Sequence, residues 1–355
     1  MVHAMRSNAR AKIFSLRAIE NTVRFKRIMK IGIIGFGFMG GVHLSAIERI
    51  EGATLAAVSS RTRPVEGTMT RGNLHHVESS ALPAGIPWYS DWHQLLLDPD
   101  IDAIDICLPT YLHKKVVLSA LERGKHVLCE KPMALLSSDC DQMLEAANKS
   151  GRVFMVGHVL RFMFPYRFAA SFFRTICHGS VKACTMKRRT GYPQWSEWLS
   201  KEDCSGGAIL DLLIHDIDQA LSLFGQPSTV RAISDGEIDT MHGTLQYANG
   251  LKVQIEGGWY APEVPFSSSF HIRGEGAALV FEEGKLRMNL SGEVQSIAIP
   301  ERSEYLEQMA YFVECCKSNE APELCLPSES AQAVRLATLL QASRDQNGRE
   351  LPCSL

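Results

Sequence analysis

The sequence predicts an α/β protein in which a doubly wound, parallel sheet is followed by a second α/β domain with an open, mainly antiparallel sheet. Three observations support this prediction. An apolar strand leads directly into a glycine-rich turn, strands and helices alternate through residues 29–157, and residues 158–355 contain many short strands of alternating polarity. Alternation of strands with helices favours a parallel sheet, whereas closely spaced alternating strands favour an antiparallel one.

The glycine-rich turn indicates the ligand of the first domain. The predicted strand Met29–Ile34 is followed by Gly35, Gly37 and Gly40 at GxGxxG spacing, and then by a helical pattern over Val42–Ile50. Such glycines permit a sharp turn, close approach of a pyrophosphate and tight packing of helix on strand. An ordinary tight turn is the alternative, but the flanking strand and helix favour a Rossmann dinucleotide site. Its expected contacts are Gly35, Phe36, Gly37, Phe38, Met39 and Gly40.

The end of the second predicted strand, Ala53–Ser59, bears on the choice of cofactor. In an NAD site an Asp or Glu about 20 residues after the glycines would hold the ribose 2′-hydroxyl. Ser60 and Arg61 stand there instead. A guanidinium group pairs well with phosphate, so NADP is slightly favoured over NAD. Stacking of Arg61 on an adenine ring is an equally good role for that side chain.

Further strands and helices complete the first predicted domain after a polar loop over residues 64–90. The strands are expected at Ile101–Leu108, His126–Cys129 and Arg152–Gly157, and the helices at His113–Arg123 and Ser137–Ser150. Parallel strands end at one edge of the sheet, where doubly wound folds bind their ligands. Pro109-Thr110 and Glu130-Lys131-Pro132 should therefore meet at that edge.

The second predicted domain combines strands with a few long helices. The helices are expected at Tyr166–Cys177, Gly207–Phe224, Glu304–Lys317 and Ser328–Ser343. The strands are expected at Val181–Arg189, Thr229–Ser234, Met241–Tyr247, Leu251–Trp259, Ser267–Gly274, Ala278–Glu282 and Lys285–Leu290.

Composition argues against several other classes of protein. A net charge of -2, and the absence of a basic helix interleaved with aromatics in the body of the chain, give no reason to expect nucleic acid. No apolar run approaches the roughly 20 residues that span a membrane. The ten cysteines include no CxxC pair, so no metal site is expected. Scattered cysteines are typical of reduced thiols in a cytoplasmic compartment.

Residues 1–28 form a basic leader that we expect to lie outside the fold. Residues 1–30 contain one acid, Glu20, and eight basic residues: Arg6, Arg10, Lys12, Arg17, Arg24, Lys26, Arg27 and Lys30. An Arg-rich, acid-poor leader is typical of an organelle-targeting peptide. The favoured alternative is that a start codon upstream has been chosen in place of Met29, in which case the segment would have no function.

One predicted helix carries side chains suited to proton transfer. Asp211 and His215 are spaced i, i+4 within Gly207–Phe224, and Asp218 lies one turn further, so the three should share one face. A carboxylate beside an imidazole fixes the tautomer and poises a base near neutral pH. Taken alone, such a pair is more often a solvated helix face.

Four landmarks, in order, resemble the glucose-fructose oxidoreductase and inositol dehydrogenase (Gfo/Idh/MocA) family. They are GFGFMG at 35–40, LPTYLH at 108–113, GKHVLCEKP at 124–132 and SGGAILDLLIHDID at 205–218. The resemblance covers nearly everything from Met29 to the C-terminus. It implies a Rossmann domain (29–157) followed by an α/β domain for substrate binding and oligomerisation (158–355). It also implies a cis peptide bond between Lys131 and Pro132.

The resemblance implies a role for each matching residue. Lys131 would lie between nicotinamide and substrate, and Asp211 and His215 would contact the sugar hydroxyls. His215 would take the proton of the reacting hydroxyl while Lys131 holds the oxygen, so Lys131, Asp211 and His215 are the expected catalytic residues. The further cofactor contacts implied are Leu108, Pro109, Thr110, His113, Glu130 and Lys131.

Three more residues are candidates for the substrate pocket. His158 and Arg161 lie in GHVLRF, where an arginine of the family often reaches the active site, although a structural salt bridge fits Arg161 equally well. Trp198, with Trp195 beside it, would wall the sugar pocket or serve only in packing.

The implied activity is hydride transfer between NADP or NAD and a sugar, polyol or inositol-like substrate. Three alternatives share the fold: a non-catalytic sugar sensor, a glycoside hydrolase that holds NAD tightly, and a reductase of non-sugar substrates such as dihydrodiols or biliverdin. A sensor would be expected to lose the lysine or the histidine, and this chain keeps both. A homodimer or homotetramer formed through the open sheet is expected.

Overall fold

The computed structural model describes residues 28–68, 77–194, 196–234, 236 and 238–355. The basic leader up to residue 27 and Trp195 therefore lie outside the described residues. Within them the chain forms a parallel sheet of six strands and a second sheet of nine strands. This architecture confirms the predicted fold class.

The first sheet has the strand order β3-β2-β1-β4-β5-β6, and each neighbouring pair is parallel. Its strands are β1 (Met29–Ile34), β2 (Ala53–Ser59), β3 (Trp88–Tyr89), β4 (Ala103–Ile106), β5 (His126–Glu130) and β6 (Phe154–Gly157). Its helices are α1 (Phe38–Ile47), α2 (Trp92–Leu97), α3 (His113–Glu122) and α4 (Ser137–Ser150). Because the strands run in one direction, the segments that follow β1, β4, β5 and β6 emerge at one edge.

The glycine turn between β1 and α1 has the close packing that its spacing predicts. Gly35 has a φ of +95°, and a Cβ on it would lie 2.4 Å from the carbonyl oxygen of Cys107. A Cβ on Gly40 would lie 2.7 Å from the carbonyl oxygen of Gly35. Only glycine allows the helix to begin so close to the strand. Helix α1 accordingly begins at Phe38, earlier than the predicted start at Val42.

The second sheet has the strand order β14-β13-β12-β11-β7-β10-β9-β8-β15. Strands β7 and β10 pair in parallel, and the other neighbours pair antiparallel. The strands are β7 (Ala183–Gly191), β8 (Thr229–Ile233), β9 (Asp239–Gln246), β10 (Lys252–Tyr260), β11 (Ser267–Arg273), β12 (Ala277–Glu282), β13 (Lys285–Leu290), β14 (Glu293–Ile297) and β15 (Leu351–Pro352). Strand β14 is exposed along most of its length, so it lacks the alternating pattern that would have predicted it.

The helices of the second half differ from the sequence prediction at one place. They are α5 (Phe164–Thr175), α6 (Glu202–Ser205), α7 (Gly207–Asp211), α8 (Ile214–Phe224), α9 (Glu304–Ser318) and α10 (Pro327–Asp345). The prediction of a single helix over Gly207–Phe224 is wrong, because the helix is interrupted between α7 and α8. The amide of Leu213 bonds to the carbonyl of Ala208, and that of Asp216 to the carbonyl of Leu213, so a new helix begins there. None of the helices in the described ranges is long and apolar enough to cross a membrane.

The last part of the chain returns to the first sheet. Helix α9 packs against α1, and Met309, Phe312 and Val313 join Ile31 and Leu44 in one buried hydrophobic cluster. Helix α10 packs against α8 and β8 of the second half and also against α4. Residues after 300 therefore contribute to the core of the first domain, and the division at residues 157 and 158 stays a prediction.

Candidate active site

The carboxyl edge of the first sheet gathers the predicted cofactor segments. Strand β4 ends before the turn that contains Pro109 and Thr110, and β5 ends at Glu130, directly before Lys131. The peptide bond between Lys131 and Pro132 is cis, as the resemblance implies. Helix α1 has no side-chain hydrogen bond at its N-terminus, so the amides of its first turn are free of a side-chain cap. This is the arrangement in which helix amides bind a pyrophosphate.

Lys131 connects this edge to the second half of the chain. Its Nζ donates a hydrogen bond of 2.7 Å to the backbone carbonyl of Asp211 and lies 3.4 Å from Asp211 Oδ1. The helix break places that carbonyl at the end of α7. The side chains of Lys131 and Asp211 are each 19% exposed, so both can reach a ligand. The two halves of the predicted site therefore meet at this contact.

His215 lies at the start of α8 and carries a buried, unpaired ring nitrogen. Its Nδ1 has no hydrogen-bond partner among the described residues. Burial lowers the pKa of His215 well below its ordinary value, and the positive charges of Lys131 and Arg188 lower it further. The imidazole is therefore neutral near pH 7 and can accept a proton.

Two buried ion pairs hold α8 in place directly after His215. Arg188 of β7 donates to Asp216 Oδ2 at 2.7 Å and to the hydroxyl of Tyr166 at 3.1 Å. Arg161 donates to both carboxylate oxygens of Asp218, at 2.6 and 2.9 Å. The three residues therefore do not share one helix face as predicted, because the helix break separates Asp211 from His215 and Asp218, and Asp218 is buried in its ion pair.

Arg161 serves as a structural ion-pair partner, one of the two roles that the sequence left open. It is 9% exposed and also contacts Glu329 of α10 and the carbonyl of Leu324. Its guanidinium group is thus engaged by protein groups, and the expected contact with substrate is not supported by its position. Burial would lower its pKa, but the charge and hydrogen bonds of Asp218 raise the pKa above the ordinary value.

His113 also has a different role from the expected cofactor contact. It is buried, its Nδ1 lies 2.9 Å from the carbonyl oxygen of Pro132, and its Nε2 lies 2.8 Å from that of Leu108. Burial lowers its pKa, so the ring is neutral and has a single N–H to donate. Both ring nitrogens face backbone carbonyls, and the ring can donate to one of them, so His113 is enclosed by the two loops of the sheet edge.

His158 and Trp198 differ in how deeply they are buried. His158 is 1% exposed, and its Nδ1 lies 3.7 Å from Asp218 Oδ2. Burial lowers the pKa of His158 despite that carboxylate. It lies beneath the site, whereas Trp198 is half-buried in a turn before α6. A cavity of about 340 Å³ near this turn is lined by Tyr192, Gly207, Asp239, Trp259 and Arg344, but by none of the expected catalytic residues.

An exposed cation, Arg61, follows β2 at the position where the cofactor ribose is expected. Ser60 accepts a hydrogen bond from Trp88 Nε1 at 3.1 Å and donates to the carbonyl of Thr62 at 2.8 Å. Its hydroxyl is therefore engaged by protein, while Arg61 is exposed. Of the two residues, Arg61 is the one available to pair with a 2′-phosphate.

A buried charged cluster beneath the edge is the feature that the sequence prediction missed. His43 Nδ1 lies 2.9 and 3.0 Å from the carboxylate oxygens of Asp105, and His43 Nε2 forms an ion pair with Glu130 Oε1 at 3.2 Å. Burial would lower the pKa of His43, but Asp105 and Cys107 outweigh it and raise the pKa well above its ordinary value. Asp105, a charge within the apolar strand pattern IDAIDICL, is the signal that could have revealed the cluster.

The same cluster brings together atoms of the types that bind metals. His43, Asp105 and Cys107 place such atoms within 4.8 Å of one another. Burial and the charge of Asp105 raise the pKa of Cys107 to about 12, and the imidazole already bonds to the carboxylate. We interpret the group as a hydrogen-bonded cluster with a neutral thiol, since a metal would require a thiolate.

Comparison with known proteins connects this geometry to one group of enzymes. The model for the Gfo/Idh/MocA oxidoreductase family, NAD-binding Rossmann fold, matches residues 29–158. The model for the Gfo/Idh/MocA C-terminal domain matches residues 177–280. Together the two matches include the glycine turn, Lys131, Asp211 and His215.

Among similar curated proteins, myo-inositol 2-dehydrogenase of Thermotoga maritima is 26% identical over 342 residues, which are 88% of this chain and 94% of that protein. Levoglucosan dehydrogenase of Pseudarthrobacter phenanthrenivorans is 29% identical over 214 residues, 58% of this chain and 53% of that protein. The first alignment thus extends over both sheets, whereas the second spans about half of the relative.

Solved structures agree with the fold. Levoglucosan dehydrogenase in complex with NADH superposes with a TM-score of 0.77 at 18% identity, covering 92% of this chain and 99% of that one. Aldose-aldose oxidoreductase of Caulobacter crescentus has a TM-score of 0.77 at 20% identity, covering 92% of this chain and 100% of that one. At these identities the likeness concerns the fold.

Proposed function

This chain belongs to the Gfo/Idh/MocA family of NAD-binding oxidoreductases, and on that premise we propose that it transfers a hydride between a nicotinamide cofactor and a CH–OH carbon of a sugar, polyol or inositol-like compound. The observation that carries the proposal is the contact between the two halves of the chain. Lys131 Nζ donates to the carbonyl of Asp211 at 2.7 Å, and His215 follows directly in α8 as a neutral base. A cation and a base beside a dinucleotide edge are what alcohol oxidation requires.

The roles of the three side chains follow from their charge and burial. In the oxidising direction His215 accepts the proton of the reacting hydroxyl, and Nε2 is the atom that takes it because Nδ1 is buried. The ammonium of Lys131 stabilises the negative charge that develops on the oxygen. Asp211 holds Lys131 and offers a carboxylate to a further hydroxyl. The nicotinamide supplies the hydride acceptor, so the carbon that loses hydride ends as a carbonyl.

We propose NADP in preference to NAD as the cofactor. Arg61 is exposed at the end of β2, no Asp or Glu stands at residues 60–65, and the hydroxyl of Ser60 is already engaged. A similar protein, the scyllo-inositol 2-dehydrogenase of Bacillus subtilis, is named for NADP(+), whereas levoglucosan dehydrogenase is solved in complex with NADH. The glycine turn and the first turn of α1 would hold the pyrophosphate in either case.

We also propose a homo-oligomer in the cytoplasm. The outer face of the second sheet presents a row of exposed polar side chains, including Lys187, Lys252, His271 and Arg273, over a buried inner face. A sheet covered on one side only is a natural surface for symmetric association. The ten cysteines are all unpaired thiols, which supports a reducing compartment.

The test is turnover of purified protein with NADP and, separately, NAD against aldoses, inositols and polyols, followed by the absorbance of reduced cofactor. Steady release of reduced cofactor with any member supports the proposal and identifies the substrate class. Cleavage of glycosides without net reduction would favour the glycoside hydrolase instead. Cofactor binding without turnover in either direction would favour the sensor.

A further inference from the structure

The charged cluster under the sheet edge links four segments of the first domain. Asp105 comes from β4, His43 from α1, Glu130 from the end of β5, and Lys131 from the loop that follows it. His43 contacts Asp105 at 2.9 Å and Glu130 at 3.2 Å, and Glu130 Oε2 accepts the amide proton of Lys131 at 3.1 Å. The chain of contacts thus extends from the helix that follows the glycine turn to the backbone of the expected catalytic lysine.

We infer that His43 is a positioning residue: placed between two carboxylates, it holds the Glu130 carboxylate against the amide of Lys131, at the sheet edge where the dinucleotide would bind. The inference rests on the proposed function, because it assigns Glu130 and Lys131 to the cofactor edge. It adds a residue that contacts neither cofactor nor substrate, since His43 is 1% exposed and its ring nitrogens face Asp105 and Glu130.

The charges around Glu130 explain why an imidazolium is needed there. Burial would raise the pKa of Glu130, but the imidazolium of His43, whose Nε2 lies 3.2 Å from Oε1 in an ion pair, lowers the pKa together with Lys131 below its ordinary value. The other titratable groups that interact with Glu130 are Cys107, His113, Cys129, His158 and Tyr305. Without the imidazolium, the buried carboxylates of Asp105 and Glu130 would have no cation between them, and the pKa of Glu130 would rise.

The tightness of the site leaves Glu130 few alternative positions. A Cβ on Gly157 would lie 3.1 Å from Glu130 Oε1, and the rings of His43 and Tyr305 lie 6.2 Å apart on the side of α9. A carboxylate confined in this way is directed by its ion-pair partner. Loss of the partner should therefore change both the charge and the direction of Glu130.

The test measures the affinity of the full chain for NADH and NADPH by fluorescence titration between about pH 6 and pH 9. His43→Gln should weaken binding about 10-fold, the size expected for a lost charge-assisted contact. The defect should grow as the pH falls, because the pKa of Glu130 rises and its carboxylate takes up a proton at a higher pH than in the wild type.

Asp105→Asn is the second variant, and it should show the opposite dependence on pH. Without Asp105 the pKa of His43 falls, so the imidazolium is lost as the pH rises and the binding defect grows towards high pH. This variant keeps the shape of the cluster and replaces His43→Gln if that protein does not fold. His126→Gln is the matched control, because His126 begins the same strand, β5, is 7% exposed and bonds to the amide of Val153 at the opposite edge.

Three results would overturn the inference. The first is binding by His43→Gln within about two-fold of wild type at every pH, together with an unchanged thermal midpoint. The second is a tightly bound metal ion in the purified protein that is lost in His43→Gln. The third is wild-type protein that binds neither nucleotide, which would overturn the proposed function as well. The first result leaves the proposed function intact, so the two failures are distinguishable.

Discussion

His43 and His215 are two histidines of the site that differ in charge: His43 is a fully buried cation, whereas His215 is a partly buried, neutral ring. His43 lies in α1 beneath the cofactor edge, where Asp105 outweighs the effect of burial and raises its pKa. His215 lies at the start of α8 in the substrate half, where burial and the positive charges of Lys131 and Arg188 all lower its pKa. Burial alone therefore does not decide the charge of an imidazole, and the sign of the neighbouring charges does.

Because the two histidines differ in charge, the two halves of the site have different roles. On the cofactor side a lasting imidazolium organises carboxylates and a backbone amide, which is a positioning role. On the substrate side a neutral imidazole is free to accept a proton. Lys131 contacts both systems, through its amide to Glu130 and through its Nζ to Asp211.

The largest effect should follow from removal of the neutral histidine. We expect His215→Gln to lower kcat for alcohol oxidation by about 10²–10⁴-fold, the contribution of a general base. In the wild type the rate should fall only as the pH drops through the lowered pKa of His215, because protonation removes the base. The variant should lose this acid limb. His271→Gln, on the exposed outer face of the second sheet, is the control, and equal losses in both variants would contradict the assignment.

Removal of the Lys131 cation should have the next largest effect. We expect Lys131→Met to lower kcat by about 10²–10³-fold, because the developing negative charge on the substrate oxygen loses its stabilising ammonium. Cofactor affinity should change little, since the pyrophosphate contacts are elsewhere. Steady-state rates and cofactor titrations on the same preparation measure the two quantities. A near-normal rate would refute the role given to Lys131.

A change in the buried ion pair between Arg188 and Asp216 tests what keeps the pKa of His215 low. Arg188→Met leaves Asp216 buried without its partner, so the free energy of unfolding should fall by about 3–5 kcal/mol. The pKa of His215 should also rise, because a positive neighbour is lost, and the acid limb should move to higher pH. Denaturant unfolding and the pH profile of kcat measure these changes.

Two further variants make this prediction specific. Lys187→Met is the matched control, because Lys187 is the neighbour of Arg188 in β7, is 53% exposed and pairs with Glu256 at 2.9 Å. A surface pair of this kind contributes about 0–1 kcal/mol. Arg188→Met combined with Asp216→Leu removes both charges and should recover much of the lost stability. Equal destabilisation by Arg188→Met and Lys187→Met would show that burial of the pair does not matter.

The smallest effect is expected outside the buried clusters, at Arg61. Arg61→Ala should raise the KM for NADP about 10-fold, because an exposed guanidinium would lose its contact with the 2′-phosphate. The KM for NAD should change little, and this contrast separates phosphate pairing from adenine stacking. Equal increases for NADP and NAD would favour stacking.

The comparison also shows which features are readable from sequence. The glycine turn and the Glu130-Lys131-Pro132 segment are contiguous, so their spacing predicts both their geometry and their place at the sheet edge. The pairing of His43 with Asp105 joins residues 62 positions apart and depends on which strands are neighbours. The break between α7 and α8 is invisible to periodicity, because Leu212 and Leu213 continue an apolar pattern that suits a single helix. Lys131 contacts Asp211 before the break, and Arg188 contacts Asp216 after it. Both partners come from other parts of the chain, so no local sequence pattern predicts these contacts.

The most direct test of this account is nuclear magnetic resonance of protein labelled with ¹⁵N in its histidine rings, recorded at about pH 7.5, above the ordinary histidine pKa. Signals are assigned by their loss in His43→Gln and His215→Gln. We predict that His43 carries protons on both ring nitrogens while His215 carries one. Two neutral rings, or two charged ones, would contradict the claim that neighbouring charges hold His43 charged and His215 neutral.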